Sequence, residues 1–271
     1  MQFTLRLSFL SLVTKLFTFG TLILILSCQN NPTTKSSENG QKKQDLAKAT
    51  KLADFPNSPL FDDAKLSNMK FSEGKFSFDV DSKSYKLGNQ TKDAESKMCA
   101  NSGKGQHIHL IIDNAPYAAK YVSEFDYEVP NGDHYLLAFL SRSYHESIKQ
   151  PNAKIAKKIN VKDQSITSAE DIDESMVFYS RPKGTYIGKD AEKVMLDYYL
   201  LNPKQGQYVT ANINGTDMDF KKWKPYFLEG LPMGENSITL TLKNADGSKL
   251  DTPLNPVTRT FTLKADPETN M

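Results

Sequence analysis

Apolar and polar residues alternate with a period of two through most of the chain after residue 61, and no long segment there has the 3.6-residue period of an amphipathic helix. Turns rich in glycine and proline separate the alternating stretches, as at residues 130–132, 214–215 and 232–234. Short strands with regular turns predict antiparallel β-sandwiches. The clearest apolar stripes are Phe76, Phe78 and Val80; Ile108, Leu110 and Ile112; Leu136, Ala138 and Leu140; Val209, Ala211 and Ile213; and Ile238, Leu240 and Leu242.

These stripes belong to an internal repeat. Residues 105–106 align with 206–207, Pro130 aligns with Pro232, and the last strand of each copy starts 25 residues after that proline. The repeat predicts an all-β chain with two tandem immunoglobulin-like sandwiches. Their expected bounds are residues 61–165 and 176–267, with an acidic linker at residues 166–175.

All four histidines of the chain lie in the first copy of the repeat. The second copy has other residues at the matching positions, so a domain of this kind folds without histidine there. The histidines therefore indicate a purpose other than folding. His107, His109, His134 and His145 align with Tyr208, Thr210, Asn236 and Gly247, respectively.

Three of these histidines form a candidate metal site. Residues i and i+2 of a strand share one face, so His107 and His109 project together, opposite the apolar stripe. His145 has the same phase if the strand after Pro130 continues to Tyr144. The sequence predicts that the three imidazoles converge on an open outer face, where they would suit zinc or copper.

The remaining candidate ligands fit this site less well. His134 has the opposite phase, and Cys99 is a fourth ligand only if its strand lies next to that of His107. The alternative to a metal site is a set of structural or recognition histidines hydrogen-bonded to nearby carboxylates such as Asp113 and Glu146.

Two other ligand classes remain open. Arg142 and Arg181 have the fork geometry that recognises phosphate or carboxylate, with Lys149, Lys183, Ser141 and Ser143 close in sequence; solvated strand ends are the alternative. Glycan binding is a more remote hypothesis, against ordinary packing of the same aromatic residues. It would use Tyr117, Tyr121, Trp223 and Tyr226.

The N-terminus predicts export. Residues 1–27 have the basic start and short apolar run of a signal peptide, and residues 25–28 resemble a bacterial lipobox, which implies lipidation of Cys28. Residues 28–60 have the polar composition of a disordered tether. We expect a lipoprotein of the outer membrane that faces the periplasm, with the membrane as a partner through Cys28.

The charge balance and the sequence motifs of the chain argue against nucleic-acid binding and against catalysis. Loss of the signal peptide removes Arg6 and Lys15 and leaves 32 basic against 32 acidic side chains, so no nucleic-acid partner is expected. Once Cys28 is acylated, Cys99 has no intramolecular disulfide partner. The chain has no nucleophile elbow, zinc-protease motif or phosphate-cradling glycine loop, and we therefore expect no enzymatic activity.

Residues 105–114, 137–147 and 179–184 are similar to an uncharacterised lipoprotein family of Bacteroidetes-type bacteria, some of whose members carry a phosphopeptide-binding label. The resemblance covers most of residues 65–265 and implies the same compartment and the tandem immunoglobulin-like fold. The sequence thus favours a non-catalytic binding or assembly module for phosphorylated or anionic peptides, acting through His107, His109, His145, Arg142 and Arg181. The alternative is a zinc- or copper-binding protein that uses the three histidines.

Overall fold

The computed structural model describes residues 50–267. The predicted signal peptide, the predicted lipidation site at Cys28 and the predicted tether up to residue 49 lie outside the described residues. None of the helices within residues 50–267 has the length and apolar character needed to cross a membrane.

The first sandwich is formed by eight strands in two sheets. Its three-stranded sheet has the order β2 (Lys65–Ser72), β3 (Lys75–Asp81), β6 (Glu124–Asp126). Its five-stranded sheet has the order β5 (Ala118–Lys120), β4 (His107–Ile112), β7 (Gly132–Ser141), β8 (Lys154–Lys162), β9 (Ser165–Asp171). Short 3-10 helices occupy Ala94–Lys97 and Pro151–Ala153.

The second sandwich has nine strands. One sheet has the order β1 (Lys51–Asp54), β15 (Tyr226–Glu229), β12 (Lys193–Leu201), β10 (Met176–Arg181). The other has the order β11 (Gly184–Ile187), β17 (Val257–Lys264), β16 (Gly234–Lys243), β13 (Tyr208–Ile213), β14 (Thr216–Phe220). A one-turn helix, Lys189–Glu192, precedes β12.

The topology of the second sandwich is immunoglobulin-like. β10, β12 and β15 take the places of strands A, B and E in one sheet, and β13, β16 and β17 those of C, F and G in the other. After β10 the chain crosses at Pro182 to the other sheet, where β11 pairs in parallel with β17. β1, from the N-terminal segment, occupies the position next to β15 where strand D would lie. The predicted fold class is confirmed.

The two copies of the repeat share side-chain details as well as strand order. The amide of Tyr135 donates to Asp113 Oδ1 (2.8 Å), and the amide of Ser237 donates to Asn214 Oδ1 (2.9 Å). His134 donates to the carbonyl oxygen of Pro130 at 2.8 Å, and the aligned Asn236 donates to that of Pro232 at 2.9 Å. The sequence alignment of the two halves is therefore a structural alignment.

Two predicted boundaries are wrong. Residues 51–54, placed in the tether, form β1 and pair with β15. Residues 166–171, placed in the acidic linker, belong to β9 and pair with β8. Both of these polar stretches form strands because each lies at the edge of a sheet, where its side chains remain largely in water.

The two sandwiches pack against each other through a second apolar layer. Strands β16 and β17 bury alternate residues, as one-sided burial requires, whereas β4 and β10 are buried on both faces. The outer face of β4 and β7 meets the face of β10 and β12 there. This joint contains Ile111, Tyr117, Leu137, Phe139, Ile172, Met176, Phe178, Tyr199 and Leu201.

Candidate metal centre

The three predicted ligands, His107, His109 and His145, come together at one end of the joint. His107 Nε2 lies 2.8 Å from His109 Nε2 and 3.0 Å from His145 Nδ1. One ring nitrogen from each of the three falls within 4.8 Å of the others. His107 and His109 share one face of β4, as predicted, since Ile108, Leu110 and Ile112 pack in the core on the opposite face.

His145 reaches the cluster by a route that the sequence did not predict. β7 ends at Ser141, and His145 lies in the turn that follows, with a positive φ of 69°. The aligned turn of the second copy has Gly247 there, with a φ of 87°. The amides of both residues close the same turn, donating to Arg142 O (2.8 Å) and Asn244 O (3.0 Å). The structure therefore keeps an imidazole where the backbone favours glycine.

The outward nitrogens of two rings are held by other groups. His107 Nδ1 lies 2.8 Å from Gly105 O, and His109 Nδ1 lies 3.3 Å from Ser180 Oγ, contributed by the second sandwich. A carbonyl oxygen only accepts hydrogen bonds, so His107 carries its proton on Nδ1 and presents a lone pair at Nε2. Metal-binding histidines are oriented in the same way by a partner on the second nitrogen.

The lone pair of His107 Nε2 has two neighbours and can accept one well-directed hydrogen bond. If His109 donates a proton to this lone pair, His145 Nδ1 lies 3.0 Å from His107 Nε2 with no well-directed hydrogen bond between them. If His145 donates instead, the 2.8 Å contact between His107 and His109 has no such bond. An ion between the three rings would remove this conflict. Nitrogens around a tetrahedral zinc lie about 3.3 Å apart, so the two contacts of His107 Nε2 would lengthen by a few tenths of an ångström, and nitrogens that are as far as 4.8 Å apart would move closer together.

The environment keeps the three imidazoles neutral. Burial lowers the pKa of His107 to about 4, helped by the positive charge of Arg181 and opposed by the hydrogen bond to Gly105. Burial also lowers the pKa of His109 and of His145, and the positive charge of Arg181 acts in the same direction on both. Neutral rings leave their lone pairs available, as metal binding requires.

Aromatic rings form the walls of the cluster. The ring of Tyr117 stacks on His109 with centroids 3.7 Å apart and planes 10° apart, and Phe139 lies 5.0 Å away on another side. The Tyr121 ring lies 4.9 Å from His107. Tyr117 Oη lies 3.2 Å from His145 Nδ1, within reach of the same centre.

The prediction of an open outer face is wrong. His107 and His109 have no exposed surface, and His145 is half-buried. The cause is the second sandwich, whose Ser180 and Arg181 cover the cluster. Alternation along a strand shows which residues share a face but not what packs on that face.

The N-terminal segment that follows β1 holds the turn that carries His145. Residues 55–59 run across both sandwiches and form a strap. Phe55 packs against Phe227 and Tyr144, with centroids 4.7 and 6.1 Å away. Pro59 O accepts from Arg142 Nη2 at 2.6 Å. Sequence reasoning missed the strap because its polar composition resembles the tether before it.

Arg142 and Arg181 are not presented to an anionic ligand. Both are buried, at 4% and 5% exposure. Arg142 donates to the carbonyl oxygens of Pro59 and Ser147, and Arg181 donates to Tyr186 Oη (2.9 Å) and Tyr144 O (3.3 Å). Their guanidinium groups fix the turn and the joint.

The other residues of the predicted anion-binding lip also contact protein groups. Lys149 Nζ lies 2.7 Å from Asp197 Oδ1, and Lys183 Nζ donates to Tyr117 O at 2.8 Å. The hydroxyl of Ser141 donates to backbone oxygens, and Ser143 Oγ accepts from the amide of Thr91.

His134 and Cys99 lie apart from the cluster. His134 Nδ1 is 2.6 Å from Asp113 Oδ2, and its Nε2 is 2.8 Å from Pro130 O, which is a structural arrangement that Asn236 reproduces in the second copy. The Cys99 thiol is unpaired, packs near Phe55 and has its pKa raised to about 11 by burial. Neither side chain completes the three-histidine group.

The aromatic residues considered for glycan binding do not form an exposed platform. Tyr117 and Tyr226 are buried. Trp223 packs edge-on against Tyr199 and donates to Tyr198 O (2.9 Å), and Tyr121 Oη lies 2.7 Å from Ser102 Oγ. Their positions agree with the alternative of core and joint packing.

Comparisons with known proteins give only distant likenesses. No family model and no curated protein matches the chain. Among solved structures, the fibronectin(III)-like modules of CbhA from Clostridium thermocellum are 12% identical, with a TM-score of 0.26 over 80% of this chain and 94% of that one. An ice-binding adhesin of an Antarctic bacterium is 11% identical, with a TM-score of 0.23 over 72% and 44%.

A third structure is SGBP-B from the mixed-linkage glucan utilization locus of Bacteroides ovatus, in complex with a heptasaccharide. It is 11% identical, with a TM-score of 0.20 over 86% of this chain and 69% of that one. At these TM-scores the superpositions say nothing about what this chain binds.

Proposed function

We propose that this protein is a non-catalytic binding module that holds one transition-metal ion between His107, His109 and His145. The observation that carries the proposal is the convergence of three ring nitrogens within 4.8 Å, with the outward nitrogens of His107 and His109 held by Gly105 and Ser180. Three neutral imidazoles are a common ligand set for zinc and copper.

The repeat supports a functional origin for this cluster. The second sandwich builds the same turn and the same pair of strands with Tyr208, Thr210 and Gly247. Three imidazoles in mutual contact, one of them at a positive φ, are therefore additional to what the fold needs.

We further propose that the module is anchored to the outer membrane through Cys28 and faces the periplasm. The lipobox-like residues 25–28 and the resemblance to Bacteroidetes-type lipoproteins support this location. An anionic or phosphorylated peptide ligand has less support, since Arg142 and Arg181 are buried and donate to protein oxygens.

The test is direct measurement of metal uptake by the purified protein, prepared without a histidine tag. The metal-free protein would be incubated with Zn²⁺, Cu²⁺ or Cu⁺, desalted and analysed by elemental mass spectrometry. Co²⁺ absorption would report the coordination geometry. We expect about one tightly held ion per chain, the ratio for a single site with three nitrogen ligands.

The variant chosen to remove the site is His107→Tyr/His109→Thr, which installs the residues of the second copy. The matched control is His134→Asn, which replaces a histidine outside the cluster with the residue aligned to it in the second copy. Uptake should be lost in the first variant and kept in the second. Equal uptake by the first variant and the wild type, or no uptake by the wild type, would contradict the proposal.

A further inference from the structure

We infer that the ion held by His107, His109 and His145 is monovalent copper, Cu⁺, rather than a divalent ion. This inference rests on the proposed function, because it concerns the charge of the ion that the same site selects. Three features carry it: the ligand set, the fixed positive charges around it, and the closed aromatic surroundings.

The ligand set contains no anion. Within residues 50–267, the cluster that could hold a metal consists of three imidazoles and includes neither a carboxylate nor a thiolate. A bound Zn²⁺ or Cu²⁺ would bring two uncompensated positive charges into a buried site, whereas Cu⁺ would bring one. The cost of burying an uncompensated ion rises steeply with its charge.

Two side chains of the second sandwich add positive charge at the same place. Lys183 Nζ lies 4.0 Å from the Tyr117 ring centre, and the other face of that ring stacks on His109. Arg181 donates to the carbonyl oxygen of Tyr144, next to His145 in the chain. Neither forms an ion pair with a carboxylate among the described residues. Coulomb repulsion from these groups is twice as large for a dication as for a monocation.

The surroundings suit an ion of low coordination number. Tyr117, Phe139 and Tyr121 line the cluster, and His107 and His109 have no exposed surface. Little room is left for the several water ligands that a divalent ion often retains. Copper in its monovalent state accepts three imidazole nitrogens without further ligands.

The experiment compares three ions on the purified, untagged protein. Cu⁺ would be supplied without oxygen in the presence of ascorbate, and its affinity measured by competition with bicinchoninate. Ag⁺ serves as a monovalent ion that does not change oxidation state, and Zn²⁺ affinity is measured with a chromophoric chelator. We expect one equivalent of Cu⁺ and of Ag⁺ to bind, and to bind more tightly than Zn²⁺.

Lys183→Met tests the contribution of the positive charge, and Lys183→Arg is the control that keeps this charge. The repulsion energy is proportional to the charge of the ion. The ratio of variant to wild-type affinity for Zn²⁺ should therefore be the square of the same ratio for Cu⁺, for instance an increase of about tenfold for Zn²⁺ and about threefold for Cu⁺. Lys183→Arg should change neither affinity substantially. Equal gains for both ions would overturn the charge argument.

The outcomes separate the two proposals. If no ion binds, the proposed metal function fails and the inference fails with it. If Zn²⁺ binds to the three histidines more tightly than Cu⁺ and Ag⁺, the metal function stands and only the choice of monovalent copper is overturned. Tight Cu⁺ binding that survives in His107→Tyr/His109→Thr would place the copper elsewhere and overturn both.

Discussion

His145 and Gly247 occupy the same position in two copies of one turn, with φ angles of 69° and 87°. A side chain with a Cβ atom costs about 1–2 kcal/mol in this left-handed region, whereas glycine enters it freely. The first copy accepts that cost and gains an imidazole 3.0 Å from His107. The comparison of the two halves thus identifies His145 as a residue that the turn by itself does not favour.

The first prediction follows from this backbone angle. His145→Gly should be more stable than His145→Ala by about 1 kcal/mol, because both variants lose the imidazole but only alanine keeps a Cβ at positive φ. Urea unfolding of the two variants side by side measures the difference. An alanine variant as stable as the glycine variant would show that the turn is not held in this conformation.

The second prediction concerns pH and His134. Burial disfavours its charged form, but the hydrogen bonds to Asp113 and Pro130 O and the charges of Asp113 and Asp133 outweigh burial and raise its pKa. A raised pKa stabilises the fold fully below the unfolded value, near 6.5, and the contribution is lost as pH rises through the folded pKa. The unfolding free energy of the wild type, relative to His134→Asn, should therefore fall as the pH rises above about 6.5.

His134→Asn is a mild change, because Asn236 bonds Pro232 O in the same way in the second copy. Urea titrations of both proteins across this pH range check the prediction. A difference that is flat with pH would mean that folding does not shift the pKa of His134.

The third prediction concerns stabilisation by the ion. A ligand that binds only the folded state adds about 2.7 kcal/mol when its free concentration is one hundred times the Kd. Cu⁺ at that excess should raise the Tm of the wild type and leave His107→Tyr/His109→Thr unchanged. Anaerobic thermal scans with and without the ion measure this, and an equal rise in both proteins would point to binding outside the cluster.

The fourth prediction tests the strap. Phe55→Ala should destabilise the protein by about 3 kcal/mol, because a buried aromatic ring is removed from the contacts with Phe227 and Tyr144. It should also weaken metal binding, since Tyr144 and His145 belong to the same turn. Leu60→Ala is the control close by in the chain: Leu60 is 70% exposed, and its loss should change stability by less than about 0.5 kcal/mol.

Calorimetric unfolding and Cu⁺ competition on these two variants give both readouts. If Phe55→Ala is destabilised but binds the ion normally, the strap supports the fold and does not position His145.

The sequence determined the fold class, the repeat and the shared face of His107 and His109. Each of these depends on local periodicity: side chains alternate along a strand, and the same turn chemistry recurs at matched spacings. The sequence also offered a structural role for the histidines, as partners of nearby carboxylates such as Asp113, and Asp113 is the partner of His134 in the structure.

Only the tertiary structure decided what surrounds the histidines. Burial of the face that carries His107 and His109 depends on the packing of β10 against β4 and β7, and the position of His145 depends on a left-handed turn. The place of β1 beside β15 depends on a partner strand some 170 residues further along the chain. Periodicity describes one strand at a time, so contacts between distant segments, and the positive charges that Arg181 and Lys183 bring to the cluster, emerge only when both sandwiches are assembled.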